Sequence, residues 1–227
     1  MKLFYALSFL TILHFSANAQ DASTKKTEQI ADFTLGLGSS QTTVAAGYVK
    51  NWNLGKKQRF YIGVGARLSG AFGKGKIFTS APASFASNKA NVDSVYGGNS
   101  SIFAMNAMIN LGYHISPKLD LGFNIDVIGF SFGPNASRTF RTNGVETLTN
   151  TKPTGMNVLL VGNNDRGTLN SEFYLRYKVN NKIGLKLAYQ HLFTELTTAS
   201  KVQTLPAQND RFRNITNLFS IGVAYHF

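Results

Sequence analysis

The sequence predicts an all-β fold: a closed, antiparallel, eight-stranded transmembrane β-barrel with short turns at one end and long loops at the other. Three observations predict it. Apolar residues recur at every second position over long runs. The opposite face of each run is rich in Gly, Asn and charged residues, and the links between runs alternate between short and long. Composition agrees. The 227 residues make one domain of ordinary size, and 12% aromatic with only 15% charged residues excludes a disordered chain. With no cysteine, a disulfide scaffold, a thiol nucleophile, a zinc–cysteine site and a lipoprotein anchor are excluded.

The elements follow in chain order. Lys2 is a short positive n-region, and 3–15 is an apolar run too short to cross a bilayer as a helix, which takes about 20 residues. Ala17-Asn18-Ala19 fits a small-x-small cleavage site, so 1–19 reads as a signal peptide cut between Ala19 and Gln20. The exported chain then has a polar N-terminal segment, 20–29, and a barrel over 30–227. No later run is long and apolar enough for a transmembrane helix.

The first two strands, 30–38 and 42–52, are weaker, with Phe33, Leu35 and Leu37 on one face of the first and Val44, Ala46 and Tyr48 on one face of the second. The third, 60–72, sets Phe60, Ile62, Val64 and Leu68 against Tyr61, Gly63, Gly65 and Arg67. The same alternation marks 103–114, 119–127, 169–177, 183–190 and 219–227. Most of these runs reach the length that a membrane-spanning strand needs, about 9–11 residues. The links 53–58, 116–118 and 180–182 are tight, whereas 74–100, 134–167 and 196–214 are long; the tight link 39–41 is the exception among the outer ones. Short turns then face the periplasm and long loops the outside. Aromatic residues gather at the strand ends of the apolar face. Trp52, Phe60, Tyr113, Tyr177, Tyr225 and Phe227 mark the short-turn rim, and Phe72, Phe103 and Phe132 the outer rim, as interfacial girdles do.

The chain ends Ser220-Ile-Gly222-Val-Ala-Tyr225-His-Phe227. Ser220, Gly222, Tyr225 and Phe227 resemble, position by position, the terminal signal of Gram-negative outer-membrane barrels, which in that family is recognised by the β-barrel assembly machinery. From residue 30 onward the chain resembles the small eight-stranded barrels of the OmpX and OmpA-membrane-domain type. The resemblance implies an outer-membrane location, with outer-membrane lipid, lipopolysaccharide and the assembly machinery as partners.

An eight-stranded barrel is just wide enough for its own side chains to fill it. Arg67, Asn106, Asp126, Glu172, Arg176 and Lys186 fall on the lumen parity. Charges in so confined a space need partners, so paired networks are expected, Arg67 with Asp126 or Glu172 among them. Such a network either plugs the barrel or gates a narrow conduit. Other motifs carry less. The stretch 70–77 lacks the Ser or Thr that a phosphate-binding loop needs after Lys76. His191 and Glu195 stand at different heights of one strand, which does not make a metal pair. No cofactor is expected. Export and the lack of a basic stripe argue against nucleic acid, despite a net charge of +12.

The cations of the long loops (Lys74, Lys76, Lys89, Arg138, Arg141, Lys152, Arg166, Lys201, Arg211 and Arg213) form an outer rim fit to attract lipopolysaccharide phosphates. A hairpin is expected around Asn143-Gly144, and the apolar run 156–161 is expected to fold back over the barrel mouth or to meet a partner. Three functions remain: a non-enzymatic barrel, porin-like channel or plugged; a surface-binding barrel that meets an extracellular protein through 74–100 and 134–167; and a lipid A-modifying enzyme. The first is the leading expectation.

Overall fold

The computed structural model describes residues 26–86, 88–96, 98–160 and 164–227. The expected signal segment, its cleavage point at Ala19 and Gln20, and Val161 lie outside the described residues. Strands dominate, with one helical turn (α1, Ala83–Ala86) and a 3-10 turn at Lys89–Asn91. In chain order the strands are β1 (Thr27–Gly38), β2 (Gln41–Leu54), β3 (Phe60–Lys74), β4 (Ile77–Ser80), β5 (Ser94–Tyr96), β6 (Asn99–Ser116), β7 (Leu119–Phe132), β8 (Ala136–Thr142), β9 (Val145–Pro153), β10 (Met156–Val158), β11 (Leu169–Lys178), β12 (Ile183–Thr198) and β13 (Arg211–His226). All pairings among them are antiparallel. The first strand starts at Thr27, three residues before the expected Ile30.

Eight long strands pair in a ring. β1 pairs β2, β2 pairs β3, β3 pairs β6 and β6 pairs β7. The ring continues from β7 to β11, β12 and β13, and β13 returns to β1. Period-two alternation turns one side of every strand inward. The inward side is polar and the outward side apolar, the reverse of a water-soluble domain: Phe219 is 74% and Leu187 60% exposed, whereas Glu172 is 1% and Arg67 5% exposed. A bulge at Val127 breaks the alternation of β7, since Ala107 pairs Ile128 while Met108 pairs Asp126. The extra residue switches the parity, so that Asp126 faces inward below it and Ile128, Phe130 and Phe132 face outward above it.

Among the described residues there are thirteen strands rather than the expected eight, of which eight form the ring. The five others come from the long links, and four of them build a second cycle of pairings. At the long-loop end β12 and β13 run on past β11 and β1, which leaves both their flanks unpaired, and unpaired backbone flanks seek partners. β9 takes the flank of β12, with Pro153 opposite Leu196, and β4 takes that of β13, with Ser80 opposite Phe212. β4 pairs β5, β5 pairs β8 and β8 pairs β9, so the cycle closes on the same β12–β13 hairpin. Its interior is apolar: Phe78, Val95, Phe140, Leu196 and Phe212 pack together with Ile102, from the inner side of β6. This cap therefore joins the end of the ring. The β8–β9 hairpin turns at Asn143 and Gly144, with φ of 47° and 80°, the left-handed values that an Asn-Gly turn supplies.

The described part of the run, 156–160, does not fold over the mouth. Met156–Val158 forms β10, which pairs with Ile128–Phe130 of β7 as part of the wall. Buried Asn157 holds it: its Nδ2 donates to Asn106 Oδ1 at 2.7 Å, and its Oδ1 accepts from Ser131 Oγ at 2.7 Å and from the Thr168 amide at 2.9 Å.

The separate apolar core of the cap has a measurable consequence. Phe212→Ala is expected to cost about 3–5 kcal/mol. Because Phe212 lies in the cap, hydrogen exchange should quicken in β4, β5, β8 and β9 while the β1–β2–β3–β6 wall keeps its protection.

Candidate functional site

The lumen of the ring is filled by side chains in successive layers. At the short-turn end Asp120 accepts from Arg176, 3.0 Å from Nη2, and lies 2.6 Å from His114 Nδ1. Beside it Glu28 Oε1 lies 3.0 Å from Lys178 Nζ and 2.9 Å from His226 Nδ1. Above them the hydroxyls of Tyr61 and Tyr174 meet at 3.1 Å, Tyr174 donates to Asn110 Oδ1 at 2.9 Å, and Asn110 Nδ2 donates to Asn51 Oδ1 at 2.8 Å. Two glycines make room for the rings. A Cβ on Gly112 would run into the Tyr61 phenol, and one on Gly122 into the ring of Tyr174.

The middle layer is a charged network. Arg67 pairs with Asp126 at 3.3 Å and Glu172 at 3.4 Å, and donates to Asn124 Oδ1. Lys186 Nζ stands 2.9 Å from Glu172 and 2.8 Å from Asp32. Asn106 Nδ2 and the Asn170 amide donate to Asp126 Oδ2 at 2.8 and 3.0 Å. Asn124 Nδ2 donates to Glu172 Oε2 at 2.8 Å, while Gln190 and Ser220 reach its other oxygen at 3.5 Å. Higher still, Ala71, Leu192 and Leu218 pack as an apolar plug, and the cap core follows.

Five of the six lumen residues expected from parity, Arg67, Asn106, Asp126, Glu172 and Lys186, thus lie in one network. Arg176 does not join it and lies below the tyrosine layer with Asp120. Asp32, Asn124 and Gln190 complete the middle layer without having been singled out, although each shares its strand's inward parity. Asn157 was missed as well, and its strand has no sequence period to reveal it. In the terminal strand Ser220 points into the lumen, Gly222 pairs between Thr34 and Lys186, and Tyr225 and Phe227 face outward with ring centroids 5.0 Å apart.

The cationic outer rim is corrected in part. Arg211 and Arg213 are engaged by Glu195 at 2.8 and 3.0 Å. Arg138 is buried in the cap, where Nε donates to Thr151 Oγ1, and Arg141 pairs with Glu146. Lys74, Lys89, Lys152, Arg166 and Lys201 stay exposed. His191 faces outward and contacts Asn217 Oδ1 at 2.6 Å. Among the described residues no three His, Asp or Glu side chains gather as a metal site.

Two stability outcomes follow. Glu172→Ala takes one charge partner from Lys186, which keeps Asp32, and one from Arg67, which keeps Asp126; it should cost about 1–3 kcal/mol, read from the urea midpoint in lipid vesicles, and Glu172→Gln should cost less. Gly122→Val should cost about 1–3 kcal/mol in the same assay, through overpacking against Tyr174.

No family model matches the chain, and no curated protein matches it. Among solved structures, the chain is similar to a de novo designed transmembrane β-barrel, with TM-score 0.38 and 11% identity over 90% of this chain and 98% of that one. It is similar to the N-terminal β-barrel domain of Pseudomonas aeruginosa OprF, with TM-score 0.35 and 8% identity over 89% and 98%. It is also similar to the outer membrane protein AlkL, with TM-score 0.36 and 11% identity over 95% and 97%.

Proposed function

We propose that the chain is a non-enzymatic outer-membrane protein: an eight-stranded, closed transmembrane barrel, plugged along its lumen, that holds a rigid β-built cap on the cell's outer side. The outward apolar belt supports the membrane placement, because side chains such as Phe33, Leu187 and Phe219 are stable at such exposure only against hydrocarbon. The ring of pairings supports closure, since strands in a bilayer have no water to satisfy a free edge. Short turns then lie in the periplasm and the cap outside.

The observation that carries the plugged reading is the network around Glu172. Its partners come from β3, β7, β12 and β13, so the ion pairs cross the lumen rather than line one side of it. The apolar plug and cap core above it add a dry barrier to ions. The geometry therefore favours a surface role over conduction. The cap offers the β8–β9 hairpin, whose Leu148 is 79% exposed, as a contact for an extracellular partner. His191 beside Asn217, with Glu195 committed to two arginines, supports the non-enzymatic reading over a lipid A-modifying enzyme.

The test is single-channel recording of refolded 20–227 in planar bilayers. The expected outcome is a folded, silent barrel. Discrete openings that change on Arg67→Ala would replace this reading with a narrow channel.

A further inference from the structure

The short-turn end of the ring has an uneven charge. Of the eleven acidic residues, only Glu28 and Asp120 lie there among the described residues, and both are consumed inside the lumen by Lys178, His226, Arg176 and His114. The outer surface of that end carries Lys50, Lys56, Lys57, Arg59, Lys118 and Lys182, and none of these six makes an ion pair with a described residue. Each of the three short turns contributes at least one, so the cations are distributed around the ring.

Their height follows from register. Lys182 adjoins Ile183, which pairs with Tyr225. Lys118 adjoins Leu119, which pairs with Tyr177, and Arg59 adjoins Phe60, which pairs with Tyr113. Each of these three cations therefore stands one residue, about 3.3 Å of strand rise, beyond a ring of the aromatic girdle, whereas Lys50 lies on the outward face two residues to the barrel side of Trp52. Two touch the girdle itself: Arg59 Nη1 donates to the Tyr113 hydroxyl at 3.3 Å, and Lys50 Nζ lies 5.8 Å from the centroid of Trp52. Girdle aromatics sit at the edge of the hydrocarbon, and the headgroup layer beyond it is about 5–8 Å deep. Turns this short keep the ammonium and guanidinium groups within that layer, at the level of lipid phosphates.

We infer that this end is a binding collar for anionic phospholipid headgroups of the leaflet the short turns face. Lys50, on the outward face between Tyr48 and Trp52, and Arg59, held by Tyr113, hold the inner rank; the turn lysines hold the outer rank. The attraction is electrostatic, needs no pocket, and selects net-negative lipids over zwitterionic ones. A cell-wall polymer offers carboxylates too, but it lies beyond the headgroups, which the turn tips do not clear. The inference rests on the membrane-spanning reading above.

The test uses full-length mature chain refolded into vesicles of phosphatidylcholine mixed with phosphatidylglycerol. Spin-labelled versions of each lipid report the relative occupancy of the protein's lipid shell. The expected result is a preference for phosphatidylglycerol of about fivefold at low salt, shrinking as added salt shortens the screening length. It should fall by more than half in a Lys56→Gln, Lys57→Gln, Lys118→Gln, Lys182→Gln variant, which keeps only Lys50 and Arg59 of the collar and whose changes lie on exposed turns and leave the barrel's lumen intact. Equal occupancy by the two lipids in the inserted wild type overturns the inference, as does a preference undiminished in the variant. Charge-dependent pelleting with purified cell-wall polymer, without lipid preference, overturns it in favour of the wall. Failure to insert, seen by vesicle flotation, overturns the membrane reading itself and is thus distinguishable.

Discussion

The carboxylate of Glu172 is the contact on which the rest of the ring depends. It takes Lys186 and Arg67 as charge partners and is bonded by Asn124, Gln190 and Ser220, so one side chain on β11 ties β3, β7, β12 and β13 across the lumen. Such a group is stable only while all its partners are present, because an unpaired charge away from water is far costlier than a lost contact. The network is thus a constraint on width. A ring one or two strands wider would carry these side chains apart and let water between them. Closure of the ring and neutralisation of its interior require each other.

The two cycles of pairings solve the same problem with opposite polarity. Below, the outer surface is apolar and the inner surface polar. Above, Phe78, Val95, Phe140 and Phe212 turn inward, as in an ordinary water-soluble core. The change takes place along β12 and β13, which belong to both cycles. Gln190 and Ser220 face the charged lumen on the same parity that carries Leu196 and Phe212 into the cap. No parity switch is needed in these strands; from the level of Leu192 and Leu218 large apolar residues enter the inward set, alternating with buried Thr194 and Thr216 before Leu196 and Phe212. The cap is therefore a continuation of the hairpin, with its orientation fixed by strand pairing.

This contrast explains what the sequence made legible. The ring strands are long and each carries its period many times, so local alternation gives both the strand and its inward residues; Arg67, Glu172 and Lys186 were readable for that reason. The partners within the lumen were less so. Asp32 sits on a strand whose alternation is weak, and the parity that places Tyr61 and Tyr174 inward does not show that Gly112 and Gly122 are their seats. The cap was not legible. β4, β5 and β10 span four, three and three residues, too few to show a period. Its core residues stand singly among polar neighbours, as Phe140 does between Thr139 and Arg141. What assembles them is register between links distant in the chain, and only the Asn143-Gly144 turn announces itself locally. Loop cations were misread for the same reason: Arg211 and Arg213 become structural only when Glu195 of the neighbouring strand is set opposite them.

The distribution of acid across the molecule joins these points. Asp32, Asp120, Asp126 and Glu172 are all drawn into the lumen, Glu28 closes its short-turn end and Glu195 is held against two arginines. A chain with a net charge of +12 and most of its carboxylates spent internally must present cations at its surfaces. Those surfaces are the two ends, because the belt between them is apolar. Electrostatics inside and outside are thus one constraint: neutralising the lumen takes the anions from the exterior, and what remains at the two ends is a positive field. The filled lumen therefore also sets the sign of the charge that the two ends of the ring present.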